Sequence, residues 1–252
     1  MVEPAEPPER SSIPFGFRRV AANEHTVLVR DVFNSVAGRY DLMNDLMSGG
    51  LHRLWKRVLI DRLRPGTALI DVAGGTGDVA LGFMTHRDGH DAIIIDANTH
   101  MLRVGRDRAI DRGMATEITF VCADAAALPL PDRSADAVTI AFGLRNVSRR
   151  AEALAEMHRV LSPGGHFICL EFSRVVLPVL ARLYDLYSFE IIPRLGRWVT
   201  GQEDSYRYLV ESIRAFPDQE ALSAELRDAG FGNGSHINLT GGIVALHSAW
   251  RV

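Results

Sequence analysis

The sequence predicts a doubly wound α/β fold: a mostly parallel sheet with helices on both faces and an antiparallel last strand. Three observations predict it. From residue 66 onward, short apolar runs alternate with amphipathic stretches of helical period, as expected when each strand is followed by a crossover helix. The first apolar run ends in a glycine-rich turn, Gly74-Gly75-Thr76-Gly77, which is where an open α/β sheet binds its ligand. The last two runs are joined by only Thr240-Gly241-Gly242. That link is too short for a crossover and suits a hairpin, so the final strand must run antiparallel.

Residues 1–14, with the Pro- and Glu-rich opening MVEPAEPPERSS, read as a disordered tail. The segment resembles neither an Arg-rich transit peptide nor a secretory signal, which points to a bacterial cytoplasm. Residues 15–65 carry two or three helices between 23 and 63, with Val32, Phe33, Leu42, Leu54, Trp55 and Leu59 among the apolar positions of their buried faces. The sheet core spans 66–173, with strands at 67–73, 91–95, 118–123, 135–141 and 165–172. Helices lie at 78–86, 101–112 and 151–161, the last stopped by Ser162-Pro163-Gly164-Gly165. Aromatic, Pro and Arg residues then interrupt the rhythm over 174–216, which reads as a helical cap inserted over the active site. The alternation resumes over 217–252 with a helix at 219–229, closed by Gly230, and strands at 235–239 and 243–249. Residues 15–252 therefore read as a single domain.

Composition excludes several function classes. The chain has 252 residues, 47% of them hydrophobic, and a formal charge of −3. With no dense Lys/Arg run, it lacks the electrostatic footprint of a nucleic-acid binder. Cys122 and Cys169 each sit in an apolar run and read as buried core thiols in a reducing compartment. The nine histidines show no ligand spacing, so no metal site is expected. No apolar run reaches the ~18 residues of a membrane-spanning helix, which leaves peripheral contact as the only membrane role.

The strongest local signal is Leu69-Ile70-Asp71-Val72-Ala73-Gly74-Gly75-Thr76-Gly77-Asp78, a strand entering a glycine turn that opens a helix. Gly75 and Gly77 let the backbone approach a ligand closely. A dinucleotide satisfies this spacing, because Gly75-x-Gly77-x-x-Ala80 is a relaxed fingerprint and Asp96 follows at the usual distance. Spacing alone therefore does not decide. Charge does help: Asp71 and Asp78 flank the turn and would oppose a doubly negative pyrophosphate. S-adenosylmethionine carries no phosphate and brings an ammonium and a sulfonium, so Asp71 becomes a near partner for the ammonium. Asp96, ending the second strand, suits both ribose hydroxyls. Asp124, after the third strand, is placed to accept from the adenine amino group, beside the Ala125 backbone. Three aspartates at successive strand ends after one glycine turn favour S-adenosylmethionine over a dinucleotide, and a mostly parallel sheet with an antiparallel edge hairpin fits the class I S-adenosylmethionine-dependent methyltransferase architecture.

Further blocks narrow the reading. Phe33-Asn34-Ser35-Val36-Ala37-Gly38-Arg39-Tyr40-Asp41-Leu42-Met43-Asn44-Asp45, then Ser48-Gly49-Gly50-Leu51-His52-Arg53-Leu54-Trp55-Lys56, resemble the opening signature of the UbiE/Coq5 family of C-methyltransferases. Phe142-Gly143-Leu144-Arg145-Asn146-Val147, Tyr206-Arg207-Tyr208-Leu209-Val210-Glu211-Ser212-Ile213 and Asn238-Leu239-Thr240-Gly241-Gly242-Ile243 continue the likeness. It covers roughly residues 15 to 250. The resemblance implies that Thr76, Asp96, Asp124 and Ala125 contact S-adenosylmethionine. Two departures stand out. Ala141 occupies the position before Phe142 where the family often has Ser, and Ala126 stands where an acidic residue is more usual.

The resemblance also implies C-methylation of a polyprenylated quinol in ubiquinone and menaquinone synthesis. The substrates would be 2-polyprenyl-6-methoxy-1,4-benzoquinol, demethylmenaquinol or both. Arg145 is expected to stabilise the quinol's phenolate, with Asn146 and Tyr40 orienting the ring oxygens. The alternative for Arg145 is pairing with a local carboxylate, and for Asn146 capping a helix near Ser148. A lipid-tailed substrate suggests peripheral contact with the inner face of the plasma membrane through residues 177–199. A homodimer and a complex of quinone-biosynthesis proteins are further candidate partners. A different small-molecule methyltransferase, a nicotinamide dehydrogenase and a non-catalytic scaffold are the competing readings.

Overall fold

The computed structural model describes residues 12–36, 40–86, 91–192, 194 and 203–252. The first element was not anticipated. Strands β1 (Ser12–Phe15) and β2 (Arg18–Ala21) pair antiparallel around the two-residue turn Gly16-Phe17. Residues 12–14, assigned to the tail from composition, thus belong to a hairpin, because Phe15 and Val20 bury their side chains in the core. Two four-residue strands are too short to show convincing alternation beside a Pro- and Glu-rich segment. Residues 1–11 lie outside the described residues.

Three helices follow, α1 (Ala22–Val36), α2 (Tyr40–Ser48) and α3 (His52–Ile60). Amphipathic spacing explains α3: Trp55, Leu59 and Ile60 are buried, and Trp55 is anchored by an Nε1–H bond to Thr240 Oγ1 at 2.9 Å. That bond joins the Leu51–Lys56 block to the Thr240-Gly241-Gly242 turn, which accounts for two sequence blocks at opposite ends of the chain.

The sheet strands are β3 (Leu69–Val72), β4 (Ala92–Asp96), β5 (Ile118–Cys122), β6 (Ala135–Ala141), β7 (Leu161–Phe172), β8 (Gly232–Leu239) and β9 (Val244–Trp250). They run in the order β5-β4-β3-β6-β7-β9-β8. The first five pair parallel; β9 runs antiparallel between β7 and β8. The chain winds outward from β3 to β5 and then crosses back to β6, so the topological switch point lies between β3 and β6. Ligands bind outside the carboxyl ends of strands at such a point.

Both faces of the sheet are covered. Along β7, Ile168 and Leu170 join the apolar cluster of Leu59 and Phe83, whereas Phe167 and Cys169 join that of Leu154, Met157 and Leu222. Helix α4 (Asp78–His86), α5 (Thr99–Asp111), α6 (Arg150–Val160) and the later α9 (Gln219–Asp228) provide the cover. Asp218 caps α9, its Oδ1 accepting from Ala221 N at 3.0 Å. The stretch Ser162–Gly165, expected as a plain turn, is drawn into β7. A register shift between Ala135 and Ala137 accommodates it, so that Ala137 pairs with His166. Cys169 is buried as expected, but Cys122 is exposed. It ends β5, the edge strand of the sheet, where no further strand shields it.

Within 174–216, the described residues are mostly helical. Helix α7 (Pro178–Leu186) runs into a π turn (Tyr187–Ile191), and α8 (Glu203–Ala215) follows. Helix α8 packs against β1, α1 and the 3₁₀ turn Leu144–Asn146. Trp198 and Arg197 of the expected membrane segment lie outside the described residues.

Candidate active site

A cavity of about 250 Å³ opens at the carboxyl ends of β3, β4, β5 and β6, walled on its outer side by Thr26, Val29, Arg30 and Phe33 of α1. Its inner wall includes Val72, Gly75, Ile95, Asp96, Asp124, Ala125 and Asn146. Of the residues expected to hold the cofactor, Gly75, Asp96, Asp124 and Ala125 line it together. Asp71, Thr76 and Gly77 do not.

Asp96 is held in place by the backbone. Its Oδ2 accepts from Gly75 N at 2.9 Å and its Oδ1 from Asn98 N at 2.8 Å. Each oxygen keeps a lone pair for a second donor. Burial raises the Asp96 pKa to about 6 despite those two bonds, so two additional hydroxyl donors would favour its charged form. Gly75 has φ 55°, and a side chain there would meet Met101 Cε at 3.2 Å and Asp96 Oδ2 at 3.8 Å. The space beside Gly75 is thus kept open by the absence of a side chain, with Asp96 behind it. Asp124, at the far end, accepts from Ala126 N at Oδ1, 2.9 Å, and from Arg149 Nη2 at Oδ2, 2.8 Å. Desolvation pushes its carboxyl up, but the Ala126 amide and the Arg149 guanidinium outweigh it and hold the pKa below the ordinary value. The carboxylate therefore stays an acceptor. The residues present fit a nucleoside with an apolar extension.

Asp71 departs from its expected position beside the ammonium. Strand alternation turns Val72 toward the cavity and Asp71 toward α3 and α4. Its carboxylate is 1% exposed and accepts from Thr139 Oγ1 at 2.7 Å. Oδ2 makes no geometrically good hydrogen bond and borders a void of about 10 Å³ shared with Lys56, Thr76, Asp78 and Ala141. Desolvation raises its pKa to about 7, with the Thr139 bond and the Lys56 charge opposing. A Cβ on Gly74 would meet Asp71 Oδ2 at 2.8 Å, so Asp71 underlies the glycine loop. Thr76 is likewise turned away, its Oγ1 accepting from Arg108 at 3.1 Å. Lys56 and Arg108 both clamp Asp78, at 2.6 and 3.1 Å. The carboxylates flanking the loop are thus engaged by the protein's own cations.

Two neighbouring strand ends carry left-handed backbone on residues other than glycine: Ala73 at φ 51° after β3 and Phe142 at φ 58° after β6. Such conformations are costly for a bulky residue and collect at functional sites. They crowd together, since a Cβ on Gly143 would meet Ala73 Cβ at 2.5 Å.

Beyond Phe142 the chain makes the 3₁₀ turn. Asn146 lines the cavity and accepts from Tyr208 Oη at 3.1 Å. It caps no helix; α6 starts at Arg150 with Arg149 at its N-cap. Arg145 points elsewhere. Its Nη1 donates to Glu171 Oε1 at 2.6 Å and to the Phe142 carbonyl at 2.7 Å, and its Nε is buried without a partner. The guanidinium and Glu171 side chains are 5% and 1% exposed. This is the local carboxylate pairing raised as the alternative for Arg145. Arg145 lines a second cavity of about 290 Å³ with His25, Tyr208 and Ser212, which shares Val147 and Ser148 with the first. Tyr40 begins α2, and its side chain lies outside what is described.

Sequence reasoning missed Asn98, Glu171 and Tyr208. Asn98 caps α5 by accepting from His100 and Met101 N–H, lines the cavity, and donates to Asn34 Oδ1 at 2.9 Å. Its place two residues after Asp96 was a usable signal. Glu171 stands at the carboxyl end of a central strand, where ligand-side residues gather, and Tyr208 lies inside a quoted sequence block.

An acidic residue at the end of the second strand, a second after the third, and a glycine turn at the switch point of a sheet closed by an antiparallel strand define a class I S-adenosylmethionine-dependent methyltransferase. Solved structures agree on the fold. A SAM-dependent methyltransferase from Thermotoga maritima superposes with TM-score 0.64 at 18% identity, over 89% of this chain and 100% of that one. Phosphoethanolamine N-methyltransferase 2 from Haemonchus contortus gives 0.62 at 14% identity, over 88% and 60%. The model of the ubiE/COQ5 methyltransferase family matches residues 19–251, and the chain belongs to that family. It is 52% identical to the ubiquinone/menaquinone biosynthesis C-methyltransferase UbiE of Rhodopseudomonas palustris strain TIE-1, over 100% of both chains. It is 54% identical to that of Methylobacterium nodulans, over 97% of this chain and 98% of the relative.

Proposed function

We propose that this enzyme methylates a ring carbon of a polyprenylated quinol, 2-polyprenyl-6-methoxy-1,4-benzoquinol or demethylmenaquinol, in ubiquinone or menaquinone synthesis. The observation that carries the reading is the full-length likeness to quinone-biosynthesis C-methyltransferases at over half identity, together with a second cavity that shares the wall residues Val147 and Ser148 with the first. S-adenosylmethionine, when bound, supplies the electrophilic methyl group. Asp96 accepts from its ribose hydroxyls, Asp124 and the Ala125 backbone take the adenine edge, and Gly75 permits close approach. Gly77 (φ 80°) and Thr76 shape the loop, and Asp71 supports it from beneath.

The quinol head occupies the junction of the two cavities. Replacing a ring hydrogen by methyl releases one proton overall, and the ring carbon is most nucleophilic once its hydroxyl has ionised. A phenol has a pKa near ~10, so the phenolate is scarce at neutral pH. Asn146 donates to the ring oxygen, and the Arg145 guanidinium, held by Glu171 at the wall of the second cavity, is the cation assigned to the phenolate. Tyr40 is assigned the remaining ring oxygen on the family resemblance alone. Incubation with isotopically labelled S-adenosylmethionine and each quinol tests the reaction by mass spectrometry of the lipid product. Absence of a methylated product from both quinols would overturn it.

A membrane contact is also part of the proposal. Val179, Leu183 and Leu186 share one face of α7, at 75%, 61% and 58% exposure. Phe17 stacks on Phe189 alongside, at 6.3 Å between ring centroids. Exposed Arg174 and Arg182 flank the apolar face, the combination that binds an anionic lipid surface. No described helix is long and apolar enough to cross a membrane. Flotation with anionic vesicles tests the contact, and failure to float at low salt would remove it. A homodimer and a quinone-biosynthesis complex remain proposals of the same kind, tested by the mass of the native assembly.

A further inference from the structure

Asn146 ends the 3₁₀ turn and stands on the cavity wall. A carboxamide has two unlike ends: the oxygen accepts hydrogen bonds and the nitrogen donates them. The end presented to the substrate decides whether the amide stabilises a phenolate oxygen or repels it. Nothing in the side chain's own shape makes that choice.

Tyr208 approaches Asn146 from α8, and its hydroxyl donates to Asn146 Oδ1 at 3.1 Å. The phenol is 4% exposed, and its ring stacks on Phe15 with centroids 4.1 Å apart and planes 18° from parallel. Phe15 is carried by the hairpin, whose turn is tied to α8 by the Phe17 N–H bond to Glu211 Oε2 at 3.1 Å. The ring is therefore buried and stacked on a hairpin fastened to its own helix, which fixes the position of its oxygen. Burial holds the Tyr208 hydroxyl well above its ordinary pKa, against a smaller opposing pull from the Arg145 charge, so it keeps its proton; Asn146 Oδ1 is the acceptor recorded for it among the described residues, and an amide turned over would leave that buried O–H unsatisfied.

We propose that Tyr208 is a positioning residue that holds Asn146 with its carboxamide N–H toward the quinol, committing the amide to donate to the ring oxygen as that oxygen becomes charged. This rests on the reading that the quinol head stands against Asn146. With the Tyr208 hydroxyl removed, the amide is free to turn over and present its oxygen, which would oppose ionisation of the quinol.

The test is Tyr208→Phe, which keeps the stack on Phe15 and removes only the hydroxyl. Methyl transfer to a short-chain demethylmenaquinol is followed from neutral to alkaline pH, with S-adenosylmethionine affinity and melting temperature measured in parallel. The expected result is a fall in kcat of about tenfold at neutral pH, equivalent to one ordinary hydrogen bond, with cofactor affinity and melting temperature held. The kcat–pH profile should move to higher pH, since the phenolate has lost a committed donor. Asn146→Ala should lower kcat comparably, and adding Tyr208→Phe to it should cost nothing more, because the two act as one unit. A Tyr208→Phe enzyme with the parent's kcat and pH profile overturns the assignment, as do additive losses in the double variant. If the unmodified enzyme binds S-adenosylmethionine yet methylates no quinol, the functional reading itself fails and takes this assignment with it.

Discussion

The buried carboxyl beneath the glycine loop makes stability depend on pH in a direction opposite to that of an ordinary surface aspartate. Asp71 is 1% exposed and its pKa is raised from 3.8 to about 7. A group whose folded pKa lies above its unfolded value favours folding in its protonated form, so its contribution is whole below the unfolded pKa and is lost as pH climbs through the folded one. The shift of about 3 units corresponds to roughly 4 kcal/mol over the full range at 1.36 kcal/mol per unit, more than half of it between pH 5 and 8. Asp71→Asn keeps the size and the Thr139 bond and removes the titration. Urea unfolding of the two proteins at pH 5, 6, 7 and 8 should show the variant gaining on the parent steadily as pH rises, by roughly 2 to 3 kcal/mol across the range. A stability difference independent of pH would mean that Asp71 is ionised throughout, and the account of a desolvated carboxyl beneath the loop would be wrong. Ala141→Ser adds a hydroxyl beside the same void and should flatten the parent's pH dependence by giving Oδ2 a donor.

Asp96→Ala should weaken S-adenosylmethionine binding by several kcal/mol in calorimetry, since two charge-assisted bonds of ~1.5 to 3 kcal/mol each are lost; unchanged affinity would remove the ribose from this position. His247 is 1% exposed and desolvation lowers its pKa to about 4, so its contribution is present above pH 6.5 and is lost as pH falls toward 4. His247→Gln should therefore reduce the acid sensitivity of the protein by ~3 kcal/mol over that window, measured by unfolding at pH 7 and pH 4.5. Arg145→Lys should lower turnover while cofactor affinity is held, because a point ammonium cannot satisfy Glu171 and the Phe142 carbonyl as the planar fork does. That loss should shrink at alkaline pH, and full turnover at neutral pH would rule out the electrostatic role.

The sheet, its helices and the antiparallel ending were legible in the sequence, because alternating apolar runs and the three-residue link at 240–242 leave few other ways to bury the same side chains. Asp96 and Asp124 were legible for a related reason: one ends β4 and the other follows β5 by two residues, and loops at the carboxyl ends of parallel strands border the cavity. What sequence could not decide was direction and partnership. Asp71 has the residue type of a cofactor ligand, but strand parity turns it toward α3, where Lys56 and Thr139 meet it. Arg145 has the charge to activate a quinol, but only the fold brings Glu171, 26 residues later, against its guanidinium. The hairpin at 12–21 shows no marked pattern by itself and becomes ordered by packing Phe15 on Tyr208, 193 positions away. Local pattern determined the elements and the strand ends, since it acts over a few residues. Side-chain orientation and pairing depend on contacts between distant segments, and those exist only once the chain has folded.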